Sequence, residues 1–249
     1  MSSIRELREQ LQAPRKAVDT WYGRQVMRRF SIYLTWLFLP LRITPNQVTL
    51  VSLMAGLLSA WIFAFDKKLG GGIGLLNVWY LLDHVDGEIA RYTGKASATG
   101  FYFDTIVNFM IQPLTFLALG ICLDKPHWGI TGAYGFLMLM ILPMCEDVIR
   151  YSLLKKEGTR HPSEANPAKS KISPSFPKTI FMAWHKLLNF PDFLLVISSS
   201  YLVCKGFSIA MAGVFNLLLI FYALSANLIW ILQLTQKVMT RKLDTTASG

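Results

Sequence analysis

Charge is scarce in this chain. Asp, Glu, Lys and Arg make up 16% of its 249 residues, against about 25% in a typical soluble domain. So little charge cannot cover the surface of a soluble protein, and a lipid-facing surface needs none. Acids are scarcer than bases, with 15 Asp and Glu to 25 Lys and Arg. Cysteine is scarce as well. Cys122, Cys145 and Cys204 lie in apolar stretches, and an odd count without motif spacing excludes a disulfide framework or a zinc site. No internal repeat is visible. The first 29 residues are polar and basic, so no signal peptide is expected there, and targeting is expected from the first membrane span.

What the chain has in abundance is apolar length. Hydrophobic residues make up 53% of it, and residues 105–123 and 206–235 carry no charge. Asp104 is the only charge between Ala96 and Leu123. About 20 apolar residues in a helix cross the hydrocarbon of a bilayer. We read an all-α, polytopic membrane protein with six transmembrane helices, over 46–65, 70–90, 99–122, 128–149, 187–204 and 208–235. The second span is interrupted by Asp83, Asp86 and Glu88, and the fifth has Asp192 near one end.

Ahead of the spans, residues 30–41 (FSIYLTWLFLPL) are apolar but too short to cross. With Trp21, Tyr22, Arg24, Arg28 and Arg29 before them and Arg42 after, they predict an amphipathic helix in the membrane interface. The organisation expected is a cytoplasmic and interfacial segment over 1–45, a membrane domain over 46–237 and a cytoplasmic tail over 238–249. Residues 157–178, with four prolines among polar residues, read as a cytoplasmic connector or as a cationic lip over a phosphate-bearing substrate.

Lys67, Lys68, Lys125 and Lys205 fall on one side of these spans, and the other 21 basic residues fall on the opposite side. The positive-inside rule puts the larger group, and both termini, in the cytoplasm. In a bacterium that means the inner membrane. The formal net charge of +10 then belongs to loops facing anionic lipid. Nucleic-acid binding is excluded, because the basic residues flank spans and form no domain of their own.

Chemistry concentrates in one segment. Asp83 and Asp86 share a helix face at i,i+3; Asp104 and Asn108 share one at i,i+4 on the next helix. A short turn makes the two helices antiparallel neighbours, so four oxygen-bearing side chains can converge near the cytoplasmic side. Charge within a membrane is costly and usually functional. Repelling carboxylates call for a cation, and oxygen-only ligands favour Mg²⁺, Mn²⁺ or Ca²⁺ over zinc. Gly87 and Ala90 leave room for a ligand near the helix, and Arg91 suits a phosphate. The plain alternative is a structural ion-pair network of Asp83, Asp86 and Arg91.

The string resembles the signature of the CDP-alcohol phosphotransferase family, D-x2-D-G-x2-A-R-x8-G-x3-D-x3-D. Asp83, Asp86, Gly87, Ala90, Arg91, Gly100 and Asp104 match at the right spacing, and Thr44-Pro-Asn46-Gln-Val-Thr49 is similar to the family as well. The resemblance implies transfer of a substituted phosphate from a CDP-linked donor, such as CDP-diacylglycerol, to a hydroxyl acceptor, with release of CMP. It implies two divalent ions, Mg²⁺ or Mn²⁺, on Asp83, Asp86, Asp104 and position 108. It implies nucleotide binding by Asn46, Gln47, Val48, Thr49, Gly87, Ala90, Arg91, Ser97 and Gly100, and a homodimer in the bilayer. The last acid of the signature is Asn108 here. In the family that acid ligates metal and is the proposed catalytic base; an amide carbonyl can ligate, but an amide cannot take a proton. Three explanations stand open: another base such as His84, Glu146 or Asp147; an inactivated form; or a CDP-alcohol-binding or scaffold protein without turnover.

Overall fold

The computed structural model describes residues 3–15, 19–156 and 188–239, and these are all-helical with no strands among them. Short helical turns at Ile4–Leu7, Arg8–Gln12, Ala13–Arg15 and Gly23–Met27 lead into α1 (Arg28–Phe38). There follow α2 (Pro45–Trp61, continued by Ile62–Asp66), α3 (Leu69–Tyr92), α4 (Ala98–Cys122), α5 (Pro126–Lys156), α6 (Phe190–Gly206) and α7 (Met211–Met239). A helix thus covers each of the six apolar stretches. Four are long and apolar enough to cross a membrane: Pro45–Asp66, Ala98–Cys122, Pro126–Ile149 and Met211–Val238. The other two differ for readable reasons. α3 carries the acids of the motif, and α6 has only 17 residues.

Local chemistry sets the boundaries. Pro45 opens α2 at a position where its missing N–H is not needed, and Gln47 Oε1 accepts from Thr44 N at 2.8 Å. Ser97 caps α4 by accepting from Gly100 N at 3.0 Å. Between α3 and α4, Gly94 takes a φ of 64° and Lys95 N donates back to Ala90 O at 3.0 Å. That left-handed position favours glycine and folds the two helices into an antiparallel pair. Over the stretch 30–41, where an interfacial helix is expected, a helix runs over 28–38 and stops short of 41, because Pro40 lacks the N–H that would extend it. α5 continues past the expected end at 149 to Lys156, because nothing in Arg-Tyr-Ser-Leu-Leu-Lys-Lys breaks a helix. The Pro/Ser/Lys connector over 157–178 and the tail beyond 239 lie outside the described residues.

Two contacts join the helices from α4 to α7. One is an aromatic cluster around Phe116 of α4. It stacks on Tyr222 of α7 at 4.3 Å between centroids and meets Phe193 of α6 at 4.9 Å and Phe136 of α5 at 5.7 Å. Tyr222 keeps its hydroxyl satisfied by donating to Leu188 O at 3.0 Å. The other is a backbone-to-backbone crossing of α4 and α5. A Cβ placed on Gly129 would lie 2.7 Å from Phe116 O and 3.0 Å from Gly120 Cα. Only glycine permits that approach. Gly129→Val therefore forces the helices apart at a cost of about 1–3 kcal/mol. We expect a lower melting temperature for the detergent-solubilised variant; an unchanged one would show that the crossing is not tight.

Candidate active site at the carboxylate cluster

A cavity of about 420 Å³ opens where α2, α3, α4 and the N-terminal segment meet. Its walls include Asp83, Asp86, Gly87, Ala90 and Arg91 from α3, Gly100 and Asp104 from α4, Ser97 from the α4 cap, and Asn46 and Thr49 from α2. The helix spacing explains the grouping: 83, 86, 87, 90 and 91 follow one face of α3, and 97, 100 and 104 one face of α4.

Each acid has a protein partner. Thr49 Oγ1 donates to Asp86 Oδ2 at 2.6 Å. Asn108 Nδ2 donates to Asp83 Oδ1 and to Asp104 Oδ1, both at 3.1 Å. It also faces the Asp104 main-chain oxygen at 3.1 Å, while Gln112 Nε2 donates to Asn108 Oδ1 at 2.9 Å. By donor chemistry, Asp83, Asp86 and Asp104 fit a hard divalent cation. In the present side-chain arrangement no group of three His, Cys, Asp or Glu among the described residues could hold an ion. Asp86 is turned to Thr49, and Asn108 joins the other two acids. Asn108 does not line the cavity.

Arg91 is an incompletely matched cation on the cavity wall. Its Nε and Nη2 are buried without a hydrogen-bond partner. Among the described residues, the structural ion-pair network of Asp83, Asp86 and Arg91 is therefore not formed. A Cβ at Gly87 would lie 3.1 Å from Arg91 Nη1, so glycine there also leaves the guanidinium its room. Within the α2 segment, Asn46 and Thr49 reach the cavity. Gln47 is spent on the helix cap, and Val48 is 2% exposed in a cluster with Leu82, Val85 and Ile89. Of the alternative bases, His84 lines the cavity with Nδ1 against Tyr80 O at 2.9 Å. Glu146 pairs with Lys237, and Asp147 is exposed away from the cavity.

One wall of the cavity is not legible in the motif. Arg15, Asp19, Thr20 and Arg28 line it from the N-terminal segment. The segment is held by Glu88, which is 0% exposed inside the motif. Glu88 accepts from Arg28 Nη1 at 3.0 Å, Gln12 Nε2 at 2.8 Å, and the Ser31 and Thr35 hydroxyls at 2.7 Å. Arg28 in turn grips Asp19 with Nε and Nη2 at 2.9 and 3.0 Å. Burial by itself lowers the Arg28 pKa; Asp19, and then Glu88, outweigh that and hold it above the ordinary value. The signal in the sequence is Glu88 itself, a carboxylate on an apolar helix that needs a partner.

The profile of the CDP-alcohol phosphatidyltransferase family matches residues 42–235, most of the chain. This protein belongs to that family. Its similarity to individual members is local. It is 34% identical over 106 residues to the bifunctional IPC transferase and DIPP synthase of Aquifex aeolicus (strain VF5), covering 43% of this chain and 23% of that protein. It is 38% identical over 68 residues to the archaetidylinositol phosphate synthase of Pyrococcus horikoshii, covering 27% and 36%. It is 29% identical over 125 residues to the CDP-diacylglycerol–serine O-phosphatidyltransferase of Mycobacterium leprae, covering 48% and 39%. The chain thus spans well under half the length of these relatives.

Arg28→Met leaves Asp19 and Glu88 as buried acids without their cation. Breaking a buried pair in this way costs about 3–5 kcal/mol. We expect a large drop in melting temperature and faster proteolysis of the N-terminal segment. A variant as stable and protease-resistant as the parent would remove Glu88 as the anchor of that wall.

Proposed function

We propose that this family member transfers a substituted phosphate from a CDP-linked donor to a hydroxyl acceptor, releasing CMP, in phospholipid or polar-lipid synthesis. Arg91 carries the reading. A half-buried arginine whose Nε and Nη2 are covered and unpartnered, on the wall of a cavity that also holds the three motif acids, suits the diphosphate of such a donor. In the reaction the acceptor oxygen bonds to the phosphorus that carries the alcohol substituent. The bond from that phosphorus to the CMP oxygen breaks, CMP leaves with the bridging oxygen, and the acceptor's proton passes to a base, for which His84 on the cavity wall is the candidate.

The chain's part is binding and orientation. Arg91 fixes the diphosphate. Asn46, Thr49 and Ser97, with the small surfaces of Gly87, Ala90 and Gly100, receive the nucleotide. Asp83, Asp86 and Asp104 are the residues to hold Mg²⁺ or Mn²⁺, which when bound neutralises charge on the diphosphate and on departing CMP. Asn108 cannot act as the base. For the donor we take a lipid-linked CDP-alcohol such as CDP-diacylglycerol, in line with the name of the Mycobacterium relative.

We also propose six spans, with both termini cytoplasmic, and a homodimer as the family resemblance implies. In support, the 24 residues of α3 extend roughly 36 Å, enough for hydrocarbon about 30 Å thick. α6 packs on α3 through an edge-on contact of Trp79 and Phe190 at 5.6 Å and through Asn77 to Ser198 at 3.0 Å.

Asn108 favours a second reading, a membrane protein that binds CDP-alcohols without turnover. The purified protein, incubated with CDP-diacylglycerol, Mg²⁺ and a panel of alcohols, decides between them. We expect CMP release that needs an acceptor, and a fall in kcat/KM of roughly 10- to 100-fold for Arg91→Ala, the weight of about 1.5–3 kcal/mol in charged hydrogen bonds. No CMP from any donor and acceptor overturns the enzyme reading. Asn108→Asp then tells an inactivated catalyst, which gains activity, from a binding protein, which does not.

A further inference from the structure

We propose that Asn108 serves as a fixed hydrogen-bond donor to Asp83 and Asp104, held that way by Gln112, and that the protein by itself therefore takes up one divalent cation. This deepens the reading of the carboxylate cluster as a cation site and rests on it. The resemblance implies two ions on four acids; the side chains here supply three acids and an amide turned the wrong way to ligate.

The direction of the amide follows from its surroundings. Three oxygens lie 3.1 Å from Asn108 Nδ2: Asp83 Oδ1, Asp104 Oδ1 and the Asp104 main-chain oxygen. An ionised carboxylate can only accept, and so can a backbone carbonyl. Turning the amide over would set Oδ1 against all three. Two of those oxygens belong to side chains that can move. The third cannot, since the Asp104 carbonyl sits in the backbone of α4, one turn before Asn108. A cation drawn to the two carboxylates still leaves that oxygen facing the amide.

Gln112 adds a second restraint. Its Nε2 donates to Asn108 Oδ1 at 2.9 Å, so the carbonyl that would ligate metal is already engaged on the far side. The residues 104, 108 and 112 stand one turn apart on α4, so the line from Gln112 to the acids is built into the helix and does not depend on loop position. Asn108 is also off the cavity wall, behind the two acids it joins. Its amide N–H₂ holds them as a close pair, which is part of what a second cation would do, without adding a ligand.

The functional consequence is a simpler metal requirement. Asp83, Asp86 and Asp104 remain as the anionic oxygen groups that would hold a single ion. Position 108 then acts through the carboxylates it orients and not on the substrate, so it is a positioning residue.

The experiment counts ions in the absence of nucleotide. The full-length protein in detergent is titrated with Mn²⁺ and followed by electron paramagnetic resonance and by calorimetry. We expect one tightly held Mn²⁺ per chain with the spectrum of an isolated ion, lost in Asp104→Asn. For Asn108→Asp we expect two tight ions and a spectrum broadened by their proximity. For Gln112→Glu, which exchanges a donor for an acceptor beside Asn108, we expect a second ion bound more weakly than in Asn108→Asp. Two spin-coupled ions in the parent protein, no tight ion at all, or a single ion in Asn108→Asp would each overturn the inference. The parent count stands even if a variant fails to fold. CMP release is measured separately, so an enzyme with two ions would sink this inference and leave the proposed reaction standing, and the reverse outcome would do the opposite.

Discussion

A carboxylate with no exposure at all must find its counter-charge inside the protein, and Glu88 does so through Arg28. The rest of the site's shape depends on that pairing. Glu88 sits in the C-terminal half of α3, between the acids on one side and Arg91 on the other. Its four donors come from residues 12, 28, 31 and 35. The helix that carries the chemistry is thereby tied to the N-terminal segment, and the far side of the Arg28 guanidinium brings in Asp19. Without this anchor the cavity would lack the wall formed by Arg15, Asp19, Thr20 and Arg28. Burying so many polar groups is tolerable only because the network is nearly complete.

The cavity holds two kinds of charge. The Arg28 network is closed: the charges there meet partners at hydrogen-bond distance and have a structural role. Arg91 is open, with two buried nitrogens unmatched. Covered guanidinium nitrogens without partners are unfavourable in the free protein and favour any anion that completes them. The acids lie between these extremes. Their side-chain donors are neutral, Thr49 for Asp86 and Asn108 for Asp83 and Asp104, so no cation offsets their charge at hydrogen-bond distance. A site with unmatched positive and lightly matched negative charge is suited to bringing a diphosphate and a divalent cation together.

Packing supplies the rigidity for this arrangement. The aromatic cluster on Phe116 and the glycine crossing of α4 and α5 fix the membrane part of α4 from three sides. Asp104, Asn108 and Gln112 lie on the turns just before that cluster, so their line is held from below. Pro113 falls within α4, directly after Gln112, and removes one backbone hydrogen bond there.

Whatever depends on local spacing is legible in the sequence. Residues that lie three or four apart on a helix share a face whatever the fold, so the pairing of Asp83 with Asp86 and of Asp104 with Asn108 follows from their numbers alone. Apolar run lengths set the helices, and Pro45, Ser97 and Gly94 set their ends. Tertiary structure alone decides the partners. Residue 12 meets residue 88 through a fold, and no periodicity encodes that contact. Gln47 and Val48 follow a cavity-lining residue in sequence yet turn to a cap and to a core. Above all, the role of Asn108 as donor or ligand does not follow from its identity, because an amide offers both. The Asp104 carbonyl and Gln112 around it choose between them.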